Sequence, residues 1–286
     1  MTDKAENRLD RLSMPAAAGV LLWISRTVFG LLASYPLVLA IRATSMTAGP
    51  DGDAVLFQPG SLLLLELLRL GAPWLGSAAE FALLSLALFA VLELIPLSMA
   101  LDLLAVPGRT LLERLARALR LFPKFFVLGV IGLLVQAALL LVASLLGSAL
   151  KPAFASADER LQTIAPLALL GLGLLACAWF GAVLDIARAT LVRHVAPSGS
   201  RVALAQALDC LRQQPLRVLL GSYSSMVGSA LAFLTACWLL ARFVPLEPSG
   251  AAVALTFAVH QLATLFAITW RVRWLGSALE LSDESD

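Results

Sequence analysis

Arg26, Glu80, Glu93, Asp185 and the adjacent pair His260-Gln261 stand inside otherwise apolar stretches of the chain. Where such a stretch crosses a bilayer, each ionised group costs roughly 2.5–3.5 kcal/mol on insertion scales, so it needs a partner or a task. Two chemistries suit these residue types. They can pair and hydrogen-bond as glue between helices, or they can form a pathway for protons or a polar solute. Glue is the simpler account for the set. Asp185 has Arg188 one turn away as a surface partner, and His260 is expected to make an interhelical hydrogen bond. Arg26 lies a few residues into the first apolar stretch, at a depth matching Glu93, and its planar fork suits a carboxylate. Arg26 is therefore expected to pair with Glu93, leaving Asp185 to Arg188.

Catalytic spacing of a familiar kind is missing from the sequence, which has no GxxxxGK[ST], no GxGxxG opening a helix, no GxSxG and no HExxH. His194 and His260 are separated by two expected helices, and a metal site needs several converging ligands. Cys177, Cys210 and Cys237 lie in or beside apolar runs without CxxC spacing and read as small buried hydrophobes. No catalytic residue, cofactor or metal site is expected.

Composition sets the elements that must position these residues. Of 286 residues 60% are hydrophobic and 14% charged, against about 25% charged in an ordinary soluble domain. One or two soluble cores could not hide that much apolar surface. Six stretches reach the roughly 20 residues that a bilayer core needs: approximately 19–41, 73–98, 125–149, 163–186, 216–241 and 250–270. Backbone groups in hydrocarbon must be satisfied locally, which selects helices, and the alternation of a membrane β-barrel is absent. The expected fold class is an all-α, polytopic transmembrane bundle of about six helices in one integral membrane domain. The first stretch follows Lys4, Arg8 and Arg11 as a signal peptide would, but its length, Arg26 and the lack of a small-residue cleavage site make it a retained helix.

Basic residues orient this bundle. Fifteen Lys and Arg fall on the side of the N-terminal tail, the 2–3 and 4–5 connections and the C-terminal end, and five on the other, with Arg26 left aside. By the positive-inside rule both termini are expected to be cytoplasmic, and the wealth of Ala, Leu and Arg suggests the inner membrane of a bacterial cell. The long external connection 42–72 holds turn residues Gly49-Pro50-Asp51-Gly52-Asp53 and then an apolar run, 61–70, too short to span. That run is expected to be interfacial or re-entrant.

A shift of 92 positions aligns two units without a gap, approximately 73–149 and 165–241. Glu93 falls on Asp185, Arg109 on Arg201, Arg120 on Arg212 and Pro123 on Pro215. Each unit reads helix, acid, basic linker, Pro, helix, with the proline expected in the first turn of the next helix. In linker 108–122 Leu111, Leu112, Leu115, Ala118, Leu119 and Phe122 make an apolar stripe apart from Arg109, Arg114, Arg117 and Arg120. That is a basic amphipathic helix suited to an anionic membrane surface; 201–214 repeats it more weakly. Small residues recur at Gly173, Cys177 and Gly181 and at Gly221, Ser225 and Ser229, so the fourth and fifth apolar helices are expected to pack on each other or on a central partner.

Over roughly residues 73–245 this order of helix, acid, arginine-bearing linker and proline resembles the membrane domain attached to some bacterial glycerophosphodiester phosphodiesterases, and uncharacterised six-helix bacterial membrane proteins of similar layout. The resemblance implies a helical membrane domain. It implies no enzymatic activity, since the soluble phosphodiesterase domain of those relatives is not in the sequence, and no functional residue. The expected function is a non-enzymatic membrane scaffold or partner subunit. The alternative is a transporter or permease-like component for a small solute or lipid. Membrane lipids and a membrane protein partner or second copy are the expected contacts; a net charge of +2 does not suggest nucleic acid. A polar cavity lined by Arg26, Glu93 and His260 would favour transport, and a dry bundle the scaffold.

Overall fold

The apolar runs expected to be helical are helical. A computed structural model describes residues 2–43, 76–77, 80–81, 83–150, 159–193, 199–243 and 250–284, and among them every regular element is an α-helix. In chain order these are α1 (Thr2–Ala43), α2 (Leu94–Ala105), α3 (Leu111–Leu150), α4 (Glu159–Arg193), α5 (Ser200–Gln213), α6 (Pro215–Phe243) and α7 (Gly250–Glu284). Helical residues 83–92 lead into α2, with Glu93 bonded through its backbone to Phe89 and Leu97. Five segments are long and apolar enough to cross a membrane: Met14–Tyr35, Leu83–Ala105, Leu111–Leu150, Ile164–Arg193 and Pro215–Phe243. The sixth expected stretch, 250–270, is also helical as part of the 35-residue α7, though it is not one of those five. The chain is thus a multi-pass helical membrane protein. The apolar run 61–70 lies outside the described residues, as does His194.

Local signals set the joint between α2 and α3. The chain leaves α2 through Val106 in an extended conformation and turns at Gly108, whose φ of 82° favours glycine. Thr110 and Glu113 then form a capping box. The Glu113 backbone N–H donates to Thr110 Oγ1 at 3.3 Å, and the Thr110 N–H donates to Glu113 Oε2 at 2.8 Å.

The two units of the sequence repeat diverge here. Pro123 does not open a helix, because α3 already runs unbroken from Leu111 and carries Pro123 inside it. Residues 111–122 of that linker are therefore the first part of α3 and not a separate surface helix. Its equivalent keeps the expected break: α5 ends at Gln213, Gln214 is non-helical at φ −130° and ψ 55°, and Pro215 begins α6. A residue before proline is biased away from helix, so Gln214 follows the local rule. Phe122 does not, and the capping box upstream starts its helix.

Burial is concentrated at one end. Leu22, Leu101, Phe125, Leu128, Val183, Ile186, Leu191, Ala203, Val218, Ile268 and Leu275 belong to one core to which all seven helices contribute. Farther along the helices, Leu84, Leu133, Leu172 and Leu234 are exposed, which costs nothing where lipid replaces water. The small-residue stripes do not pack on each other. Gly173 sits against Ala143 and Leu140 of α3, and Cys177 and Gly181 against Gln136. On α6, Gly221 and Gly228 lie under the rings of Trp274 and Trp270; a Cβ on Gly228 would fall 2.6 Å from the Trp270 ring. So α4 uses its stripe on α3 and α6 uses its own on α7. Between α4 and α6 Tyr223 donates to the Leu175 carbonyl at 3.4 Å.

Candidate functional site

Where the core meets the looser part of the bundle, a half-open cleft of about 910 Å³ is shared by residues 87–94 and helices α3, α4, α6 and α7. Leu94, Val130, Leu133, Leu140 and Met226 give it apolar walls, while Gln136, Ser222, Ser225 and Ser229 add neutral polar groups. Asp185, Arg188, Arg271 and Trp274 meet at one end and make an ionic floor.

Asp185 organises that floor. Arg271 of α7 grips it with two hydrogen bonds, Nη1 to Oδ2 at 2.5 Å and Nη2 to Oδ1 at 2.7 Å. The Trp274 indole N–H donates to Oδ2 at 2.9 Å, and Arg188 Nη1 approaches Oδ1 at 3.3 Å. The carboxylate is buried, with a side chain 3% exposed. The expected Arg188 contact therefore exists, but the main partner is Arg271, a residue the sequence suggested only as part of the positively charged side. Register on α7 explains the set: Arg271 and Trp274 are three apart and share one face of the helix. The Arg188 Nε is buried without a hydrogen-bond partner among the described residues.

Arg26 and Glu93 come together as the sequence suggested, Nε to Oε1 at 2.6 Å, with side chains 40% and 32% exposed. Phe29 and Phe89 stack one turn away from each at 5.1 Å and hold α1 against the helix that carries Glu93. Removing either charged partner leaves the other in an apolar setting, so the single losses should each exceed what the pair is worth. In a double-mutant cycle on Arg26→Ala and Glu93→Ala, scored by folded yield in detergent, the double variant is expected to lose less than the sum of the singles. Additive losses would remove the coupling. Glu80, by contrast, is exposed.

His260 does not join this group. Its ring lies 5.8 Å from that of Phe233 on α6, away from the cleft lining. The interhelical hydrogen bonds expected of it belong to its neighbour: Gln261 Oε1 accepts from Trp23 Nε1 at 2.9 Å and from Thr27 Oγ1 at 3.2 Å, tying α7 to α1.

A second buried acid escaped the sequence reading. Asp102, 2% exposed, lies near the end of α2 and faces Arg109 at 2.5 Å, Arg114 at 3.1 Å and Arg117 at 3.4 Å. Arg114 is itself buried and donates to the carbonyls of Arg109 and Val106. Arg117 also donates to the Val192 carbonyl at the end of α4. These arginines serve an internal anchor more than a membrane surface, while the stripe residues Leu111, Leu112 and Leu119 stay exposed. Only the spacing of one acid followed by arginines 7, 12 and 15 positions later could have pointed to it, and Asp102 falls beyond the expected end of its helix.

At the far end of α7, Arg217 donates to both oxygens of Glu284 and Gln214 adds a third hydrogen bond at 2.8 Å, which together hold the Glu284 carboxyl below its usual range. Burial first, and then Glu284 nearby, push the Cys210 thiol up, which suits an inert packing group. Among the described residues no group of three His, Cys, Asp or Glu could hold a metal ion. The chain finds no match among models of known families, curated proteins or solved structures.

Proposed function

We propose that this multi-pass membrane protein is a non-enzymatic, permease-like component that takes an amphipathic solute or lipid into its cleft. One observation carries the reading: apolar walls and an ionic floor share a single half-open space about as large as an ordinary ligand site, roughly 300–1,000 Å³. Charged groups inside membrane proteins commonly mark solute paths. The floor is made by Asp185, Arg188 and Arg271 and not by His260, so the polar cavity that favours transport over a dry scaffold lies elsewhere than the sequence suggested. Purified protein in neutral detergent should gain thermal stability when phospholipid is added, by up to about 2.7 kcal/mol at a hundredfold excess over Kd. Stability unchanged by any amphiphile would return the chain to the scaffold or partner-subunit role.

The same reading places both termini in the cytoplasm and the protein in the cytoplasmic membrane, on the strength of the basic bias of the connections. Reporter fusions after residues 110 and 200 should then report cytoplasm, and a fusion near 155 the opposite side. A cytoplasmic signal at 155 would reverse the assignment.

A further inference from the structure

Charge at the cleft floor is not balanced. Asp185 faces two guanidinium groups, Arg188 and Arg271, and the nearby Glu93 is engaged by Arg26. Three arginines against two acids leave one positive charge in excess. Of the three, Arg271 spends both Nη groups on Asp185, whereas Arg188 makes a single 3.3 Å contact and keeps its buried Nε unpartnered. A largely buried guanidinium in charge excess, lining an apolar cleft, calls for an anion.

The shape of the cleft says what the anion is attached to. A free inorganic anion needs no apolar wall, yet Val91, Leu94, Leu133, Leu140 and Met226 line the space away from the floor. Along α4 the lining runs from Cys177 to Arg188, roughly 16 Å at 1.5 Å per residue. That is about half of the ~30 Å hydrocarbon core, the depth of one leaflet. Arg188 also lies close to the end of the spanning segment Ile164–Arg193, the level at which headgroups sit. Resting on the reading of the cleft as an amphiphile site, we propose that its ligand is an anionic phospholipid, with its phosphate on Arg188 and one acyl chain along the wall of α3 and α4. Arg188 lines the cleft and supplies the excess charge. Asp185, held by Arg271 and Trp274, keeps the floor rigid and takes only one 3.3 Å contact from Arg188.

The test uses the full chain in neutral detergent, titrated with phosphatidylglycerol, with phosphatidylcholine and with inorganic phosphate, read by native mass spectrometry and by thermal shift. Phosphatidylglycerol is expected to bind about tenfold or more tighter than phosphatidylcholine, because both carry a phosphate but the quaternary ammonium of choline cancels the net negative charge that matches the excess guanidinium, and inorganic phosphate to have no effect. Arg188→Gln should abolish that preference while phosphatidylcholine still binds. Val130→Trp, at a partly exposed wall position that leaves the floor intact, should weaken both lipids and so keeps the test informative if Arg188→Gln does not fold. Equal binding of the two lipids would overturn the anion assignment and leave the amphiphile site standing. Stabilisation by inorganic phosphate alone would overturn the lipid as the source. No binding of either lipid would overturn both readings.

Discussion

Asp102→Ala is expected to cost the folded protein about 3–5 kcal/mol, the range for removing one partner of a buried ionic cluster. Among the described residues the carboxylate is the acid ion-paired with Arg109, Arg114 and Arg117 together. Without it, three positive charges converge at one joint, and Arg114, buried at 4% exposure, loses its ion-pair partner. The joint also carries the turn at Gly108 and, through Arg117, the contact with the end of α4, so the loss should loosen the seam between α3 and α4. Arg109→Ala is the comparison. It removes a partner that is 30% exposed and leaves Asp102 with two others, for about 1 kcal/mol or less. The measurement is reversible unfolding in mixed detergent micelles. Equal losses for Asp102→Ala and Arg109→Ala would mean that the carboxylate is not the centre of the anchor.

Asp185→Asn should be comparably costly, about 3–5 kcal/mol, though it changes little in size. The amide keeps an oxygen that can accept from the Trp274 N–H, but it offers no charge to Arg271 and turns a donor toward one of the arginines. Arg271, Arg188 and Trp274 converge on this one carboxylate, and α4 and α7 meet through it. The Arg26–Glu93 pair is a useful contrast because its side chains are 40% and 32% exposed, so an unpaired survivor there is less completely desolvated than at Asp185. Asp185→Asn should therefore lower the melting temperature more than Glu93→Gln does. The reverse order would show that Arg271 and Arg188 find other counterions when Asp185 is neutralised.

Both acids show where linear patterns stop being informative. The pairing of Arg26 with Glu93 was legible because each lies inside an apolar stretch, where depth along two helices can be counted and an unpaired charge is costly. Arg188 was legible for Asp185 because it is one turn away on the same helix. Arg271 was not, since it lies 86 positions on, at the end of an apolar stretch, where a basic residue usually orients a helix by facing the cytoplasm. His260 and Gln261 were marked together, and only the rotation of α7 decided that Gln261 meets α1 while His260 turns toward Phe233.

The sequence by itself determined that this protein is helical and membrane-spanning. Hydrocarbon admits only chains whose backbone bonds are satisfied within each segment, and length and apolarity report that directly. It also determined which residues are small enough for helices to approach closely, at Gly173, Gly181 and Gly221. Which helices use those faces was left to tertiary structure, because a smooth stripe accepts any complementary surface and here takes Ala143 in one case and two indoles in the other. The same holds for Pro123 and Pro215, alike in sequence but unlike in outcome, since the anchor at Asp102 and the capping box hold one linker in line with its helix. The cleft is likewise a property of the assembled bundle. Its walls come from four helices and the residues before α2, and its net charge depends on which acid each arginine reaches, which no spacing along one helix can specify.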